Sequence, residues 1–176
     1  GPRNFPRSSR SHPACYIDVT VTVPCSGTLA LMFRSDINQH ENDESWAFQN
    51  VKVVAPVLVP PPPPPATIYK EEQAVGTGWS NTEITTVGSA GKVHGPWGNN
   101  NRVASKNIPL PAGVTQCTVS WRSWAIYTRD GEYDYLYIDG KQVWKKRGYH
   151  SGCRNGWLKG PSNFPRSSRS HPACYI

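Results

Sequence analysis

The sequence predicts an all-β fold, an antiparallel β-sandwich of the jelly-roll kind with a polyproline II segment, on three observations. β-branched and aromatic residues recur at every second position in several short runs, the period of a strand with one buried face. Gly and Pro, 15 and 17 of the 176 residues, punctuate those runs and break any long helix-forming stretch. Six consecutive prolines, Pro60, Pro61, Pro62, Pro63, Pro64 and Pro65, form the one abrupt change of composition.

A first strand is read at 16–23, Tyr-Ile-Asp-Val-Thr-Val-Thr-Val. A Cys25-Ser26-Gly27 turn leads to a second run at 28–33, and the polar stretch 38–45 separates that from a third at 47–54. The long run at 115–127 holds Trp121 and Trp124; three positions apart, they face opposite sides of a regular strand, so one leaves the central core. Runs at 133–138 and 142–145 flank Asp139-Gly140, a pair suited to the left-handed two-residue turn of a hairpin. Seven or more such strands pack as two sheets.

Gly1 to Ile17 and Gly160 to Ile176 agree at sixteen of seventeen positions, differing only at Arg3 and Ser162. The chain reads as one period of a tandem array, with 160–176 overlapping into the next, and one period has the size of one domain. The proline run, about 19 Å long at roughly 3.1 Å per residue, cannot sit inside a sheet and is read as an interdomain linker at 55–66. On that reading 1–54 supply the C-terminal strands of a sandwich, and 67–176 its N-terminal strands. The two parts either fold back together or exchange between neighbours by strand donation.

The net charge of +7 falls to +5 per period once Arg166 and Arg169 of the overlap are discounted. Its Lys and Arg are scattered and accompany no recognised module, so nucleic acid is not an expected partner. No stretch approaches the roughly 20 apolar residues of a membrane span. The basic, proline-rich start lacks the apolar core of a signal peptide, as in a mature segment of a longer chain.

Cys174 repeats Cys15, which leaves four cysteines per period: Cys15, Cys25, Cys117 and Cys153. An even count in a chain rich in Trp, Pro and Gly predicts two disulfides and an oxidising, extracellular or cell-surface location. Of the three possible pairings, Cys25 with Cys117 and Cys153 with Cys174 are favoured, leaving Cys15 for the Cys153 equivalent of a preceding period. His150 precedes Cys153 by three, but no second pair at zinc spacing accompanies them.

Asp43 and Glu44 share one polar loop, while Asp130, Glu132 and Asp134 crowd another. Oxygen ligands from two loops at one end of a sandwich suit Ca²⁺, which takes six to eight oxygens in flexible geometry. The plainer alternative is a solvated turn in which Arg129 neutralises the acids. Trp79, Trp97 and Trp157 stand in Gly-rich, loop-like contexts and are the candidates for stacking on sugar rings. Trp46, Trp121, Trp124 and Trp144 fall in strands and are read as core. A glycosidase pair is conceivable from the acids, but no phosphate loop or Gly-x-Ser-x-Gly elbow occurs, so the chain is not read as an enzyme.

His94-Gly95-Pro96-Trp97-Gly98, Val119-Ser120-Trp121-Arg122-Ser123-Trp124-Ala125-Ile126, Asp130-Gly131-Glu132, Tyr137-Ile138-Asp139-Gly140-Lys141-Gln142-Val143-Trp144 and Asp43-Glu44-Ser45-Trp46-Ala47-Phe48-Gln49-Asn50-Val51-Lys52-Val53 resemble a jelly-roll, galactose-binding-like module of large extracellular proteins from protists and algae. The resemblance implies that the two acidic segments are calcium loops. It also implies that the Asp-Glu-Ser-Trp segment comes last in the family's strand order. The proline run resembles the hydroxyproline-rich segments of algal surface fibres such as mastigonemes and cell-wall glycoproteins, which makes Pro60 to Pro65, with Ser8 to Ser11, candidates for O-glycans. Together these predict a structural repeat of an extracellular fibre whose partner is its own next copy, or alternatively a calcium-dependent, lectin-like carbohydrate-binding module.

Overall fold

The computed structural model describes residues 14–41, 43–56, 65–87, 90–100, 102–127, 129–148, 153 and 155–160. Eleven strands follow in order among them: β1 Cys15–Pro24, β2 Thr28–Ser35, β3 Glu44–Ala55, β4 Ala66–Lys70, β5 Ile84–Val87, β6 Gly91–Trp97, β7 Val103–Pro109, β8 Gln116–Tyr127, β9 Tyr133–Ile138, β10 Lys141–Arg147 and β11 Leu158–Lys159. They form two antiparallel sheets, one ordered β11-β1-β8-β3-β6-β5 with β4 also against β3, the other β10-β9-β2-β7. The protein is an all-β sandwich.

The period-two pattern explains the layering. On β2, Leu29, Leu31 and Phe33 alternate with more exposed Ala30, Met32 and Arg34, and on β9 Asp134, Leu136 and Ile138 turn inward between Tyr133, Tyr135 and Tyr137. These inner faces meet Phe48, Val51, Val53, Val119 and Trp121 of the larger sheet. Phe33 stacks on Phe48 with ring centroids 4.2 Å apart, which ties the two sheets together at the centre of the core. Asp139 (φ 50) and Gly140 (φ 75) make the expected left-handed turn between β9 and β10.

Trp121 and Trp124 face opposite sides of β8, as their spacing predicts. Trp121 enters the central core; Trp124 enters a second small one on the outer face, with Ala14, Ala47, Val87, Val93 and Ile126. Both are buried, so neither becomes an exposed interface residue.

The linker reading is corrected. Val54 pairs with Thr67 and Ala55 with Ala66, so the ends of the proline-containing segment are adjacent rungs of one antiparallel ladder. It joins neighbouring strands of one sandwich and does not space two domains. Pro65 is exposed, whereas Pro60 to Pro64 and Ser8 to Ser11 lie outside the described residues. The two parts of the chain fold back together: β1 lies along β8 from Cys15 opposite Ala125 to Pro24 opposite Gln116.

The cysteine pairing changes for the same reason. Cys25 pairs with Cys117 as expected, but Cys153 pairs with Cys15 rather than with Cys174. β11 runs beside the start of β1, Cys15 opposite Lys159, which brings the segment before β11 over Cys15; the Cα atoms of Cys15 and Cys153 are 5.4 Å apart. Cys174 lies outside the described residues.

Candidate functional site

One end of the sandwich gathers the acids. A turn closed by the Asp43 and Glu44 amides on the His40 carbonyl delivers Glu44 as the first residue of β3, opposite Tyr127 at the end of β8. The chain then turns through Asp130 and Gly131 into β9. Glu44, Asp130 and Glu132 each offer a carboxylate oxygen, and these three oxygens lie within 4.8 Å of one another.

Their partners differ. Glu132 accepts from the backbone amides of Asp130 (2.9 Å) and Gly131 (3.1 Å) and from Asn38 Nδ2 (3.3 Å). Glu44 is fully buried, yet neither of its oxygens has a hydrogen-bond partner. Burial, followed by the neighbouring charges of Glu132 and Asp130, pushes its carboxyl up to about 7. Burial likewise raises Glu132, and a hydrogen bond with Asp130 adds to the effect.

Arg129 is buried beneath this cluster. Its Nη2 donates to Asp134 Oδ1 at 3.0 Å and to Ser35 Oγ at 3.4 Å, and its Nε lies 3.8 Å from Glu132 Oε2. Asp134, a predicted metal ligand, is therefore committed to an ion pair inside the sandwich. Asp43 is exposed and outside the trio. The structure thus keeps three of the five predicted acids together, Glu44, Asp130 and Glu132. One guanidinium faces four carboxylates here, so full ionisation leaves an excess of negative charge that protons or a cation must offset.

The predicted sugar-binding tryptophans are core residues, which corrects that assignment. Trp79 Nε1 donates to Glu71 Oε1 at 2.8 Å, Trp97 Nε1 to Glu83 Oε2 at 3.0 Å, and Trp157 Nε1 to the Arg147 carbonyl at 2.9 Å. With its one polar atom satisfied, each indole can be buried, and all three are at most 5% exposed. Trp157 packs on Cys15 and Ala125, with Cys153 beside them.

A second buried polar cluster was not legible in the sequence. Glu71 accepts from Trp79, from the Tyr69 hydroxyl and from His94 Nε2, the last at 2.7 Å. Burial alone would raise its carboxyl, but the hydrogen bonds from His94, Trp79 and Tyr69 together hold it below the usual carboxylate range. His94 stacks on Phe48 at 4.5 Å and its Nδ1 has no partner. The residues lie at 69, 71, 79 and 94, with no periodicity that would group them.

Comparison with protein-family models, with curated proteins and with solved structures gives no match to this chain. Among the described residues no helix is long and apolar enough to cross a membrane. The two disulfides are compatible with a secreted or extracellular protein.

Proposed function

We propose that the chain is a structural repeat of an extracellular or cell-surface fibre, built from jelly-roll sandwiches that follow one another in tandem. One observation carries the reading. The first copy of the duplicated peptide ends in Ala14-Cys15-Tyr16-Ile17, which opens β1, and Gly160, the first residue of the second copy, donates its amide to the Ala14 carbonyl at 2.8 Å. One residue thus closes a module and begins the peptide that opens another. A side chain at Gly160 would run into the buried Trp124 ring, so a glycine is required at this junction. Ala173-Cys174-Tyr175-Ile176 repeats the residues at the start of β1, as expected of a tandem array. This arrangement supports tandem polypeptide over strand exchange, and it gives Cys174 the role in the next module that Cys15 has here.

Electron microscopy of native material tests the proposal. It expects filaments with an axial repeat of one sandwich plus a short connector; monodisperse particles without a repeat would refute it. Non-reducing peptide mapping should find Cys174 joined to the Cys153 equivalent of the following period. Hydroxylation and O-glycosylation of the proline segment would be read in the same spectra.

A structural Ca²⁺ at Glu44, Asp130 and Glu132 is a second part of the reading, and the unpartnered oxygens of buried Glu44 favour it. The ion would supply positive charge where Arg129 alone does not balance the acids, pinning the start of β3 to the turn before β9. The lectin alternative loses its three tryptophans to the core.

A further inference from the structure

The outer face of the smaller sheet carries a row that neither the fibre reading nor the acidic cluster uses. Tyr133, Tyr135 and Tyr137 alternate outward along β9, half-buried, with successive ring centroids 6.2 and 6.1 Å apart. Basic side chains flank them on both neighbouring strands. Arg34 of β2 is registered opposite Tyr135, and Lys145 of β10 lies opposite it on the other side. Lys145 Nζ is 3.9 Å from the centre of the Tyr133 ring and 5.5 Å from that of Tyr135. Asp36 is the acid at this row; it accepts the Tyr135 hydroxyl at 2.7 Å and fixes that ring.

We infer that this face binds an anionic polysaccharide, sugar rings lying along the tyrosine row and their carboxylate groups meeting Lys145 and Arg34. Tyrosine rings offer apolar surface to the C–H faces of pyranoses; Lys145 covers one face of Tyr133, which leaves Tyr135 and Tyr137 as the main stacking surface, and the cations set the sign of the ligand. Two disulfides are compatible with an oxidising, extracellular setting, where acidic glycans are the common polyanions. Half-burial and the Asp36 contact pre-order the rings, so little side-chain freedom is lost on binding. The inference is independent of the tandem reading, because a single module carries the whole row.

Titration calorimetry on the full chain tests it, with polygalacturonate as ligand and neutral dextran and oligo-dT as comparisons. Polygalacturonate should bind, its affinity falling as salt rises, and dextran should not. Tyr137→Ala should weaken binding about tenfold while Tyr137→Phe, which keeps the ring, retains it. Lys145→Gln and Arg34→Gln should each weaken it about fivefold, and Lys92→Gln, the same charge loss on the larger sheet, should leave it unchanged. Binding of oligo-dT as tight as that of polygalacturonate would overturn the assignment. So would a Tyr137→Ala variant that folds and binds like the parent, or a Lys92→Gln variant as weak as Lys145→Gln.

Discussion

Two glutamates, Glu71 and Glu44, are buried in the same sandwich and behave in opposite ways. Glu71 is surrounded by donors, with two indole or imidazole N–H groups and a phenol directed at it, and stays ionised. Glu44 sits among other acids with no well-formed hydrogen bond to either oxygen; burial and the charges of Glu132 and Asp130 outweigh the opposing pull of Arg129 and the Asn38 amide, and its carboxyl is pushed up to about 7. Burial is common to both. What differs is whether the fold supplies hydrogen bonds to the charged form, and that decides whether a buried acid is a stable part of the core or a site awaiting a proton or a cation.

The comparison breaks most sharply at Glu71. Glu71→Ala strands the Trp79 and His94 N–H groups and the Tyr69 hydroxyl in the core and should cost about 3 to 5 kcal/mol, measured by urea unfolding. Glu71→Gln, which keeps an acceptor, should cost less.

Next in size is the pH profile, where the two acids pull in opposite directions. The folded chain keeps the Glu44 proton between the ordinary carboxylate value of 4.5 and about 7, while the unfolded chain has lost it. Glu44's share of stability is therefore whole below 4.5 and falls as pH rises to about 7, by up to about 3 kcal/mol. Glu71's share is present above its unfolded pKa and fades only as pH drops through its lowered folded value. Unfolding followed across this range should show a shallower neutral-side decline in Glu44→Gln, with the part due to Glu132 remaining, and an unchanged one in Glu71→Gln.

Calcium sharpens the same contrast. At neutral pH and above, added Ca²⁺ should raise the urea midpoint of the parent, and a chelator should lower it again; Glu44→Gln should blunt the response by removing one ligand. An equal calcium response in parent and variant would remove Glu44 from the site.

The smallest effect belongs to an acid at the surface. Asp18 receives Arg122 through two bonds of 2.6 and 2.7 Å, better geometry than anything Glu44 has, but in an exposed setting. Asp18→Asn should change stability by about 0.5 kcal/mol, within reach of the same denaturation series.

Much of the fold was legible because alternation survives where strands have one wet face. The runs containing Val19, Leu31, Val53, Val119 and Leu136 were all recognisable, and Asp139-Gly140 fixed its hairpin. β4 to β7 were not. β5 has only four residues, β6 carries Gly91, Gly95 and Pro96, and β7 turns inward only at Ala104 and Ile108, so their periodicity is weak. The acidic site was half legible: two acidic loops could be expected to converge, but nothing in residue type told Asp134, which pairs with Arg129, from Glu132, which stays with Glu44 and Asp130. The tryptophans misled because Gly-rich surroundings read as exposed loops, when each indole N–H had an acceptor in the fold that let the ring be buried.

The sequence by itself determined the all-β class, the duplicated end peptide, the pairing of Cys25 with Cys117 and the acids of two loops, since composition, alternation and repetition are local properties. Only the tertiary structure decided that the proline segment joins adjacent strands, that Cys153 takes Cys15, that Trp79, Trp97 and Trp157 are core, and that Glu44 is isolated while Glu71 is satisfied. Each of these depends on which distant segments become neighbours. Strand order sets that, through the burial of whole faces and the pairing of backbone groups, and no run of residues read alone contains it.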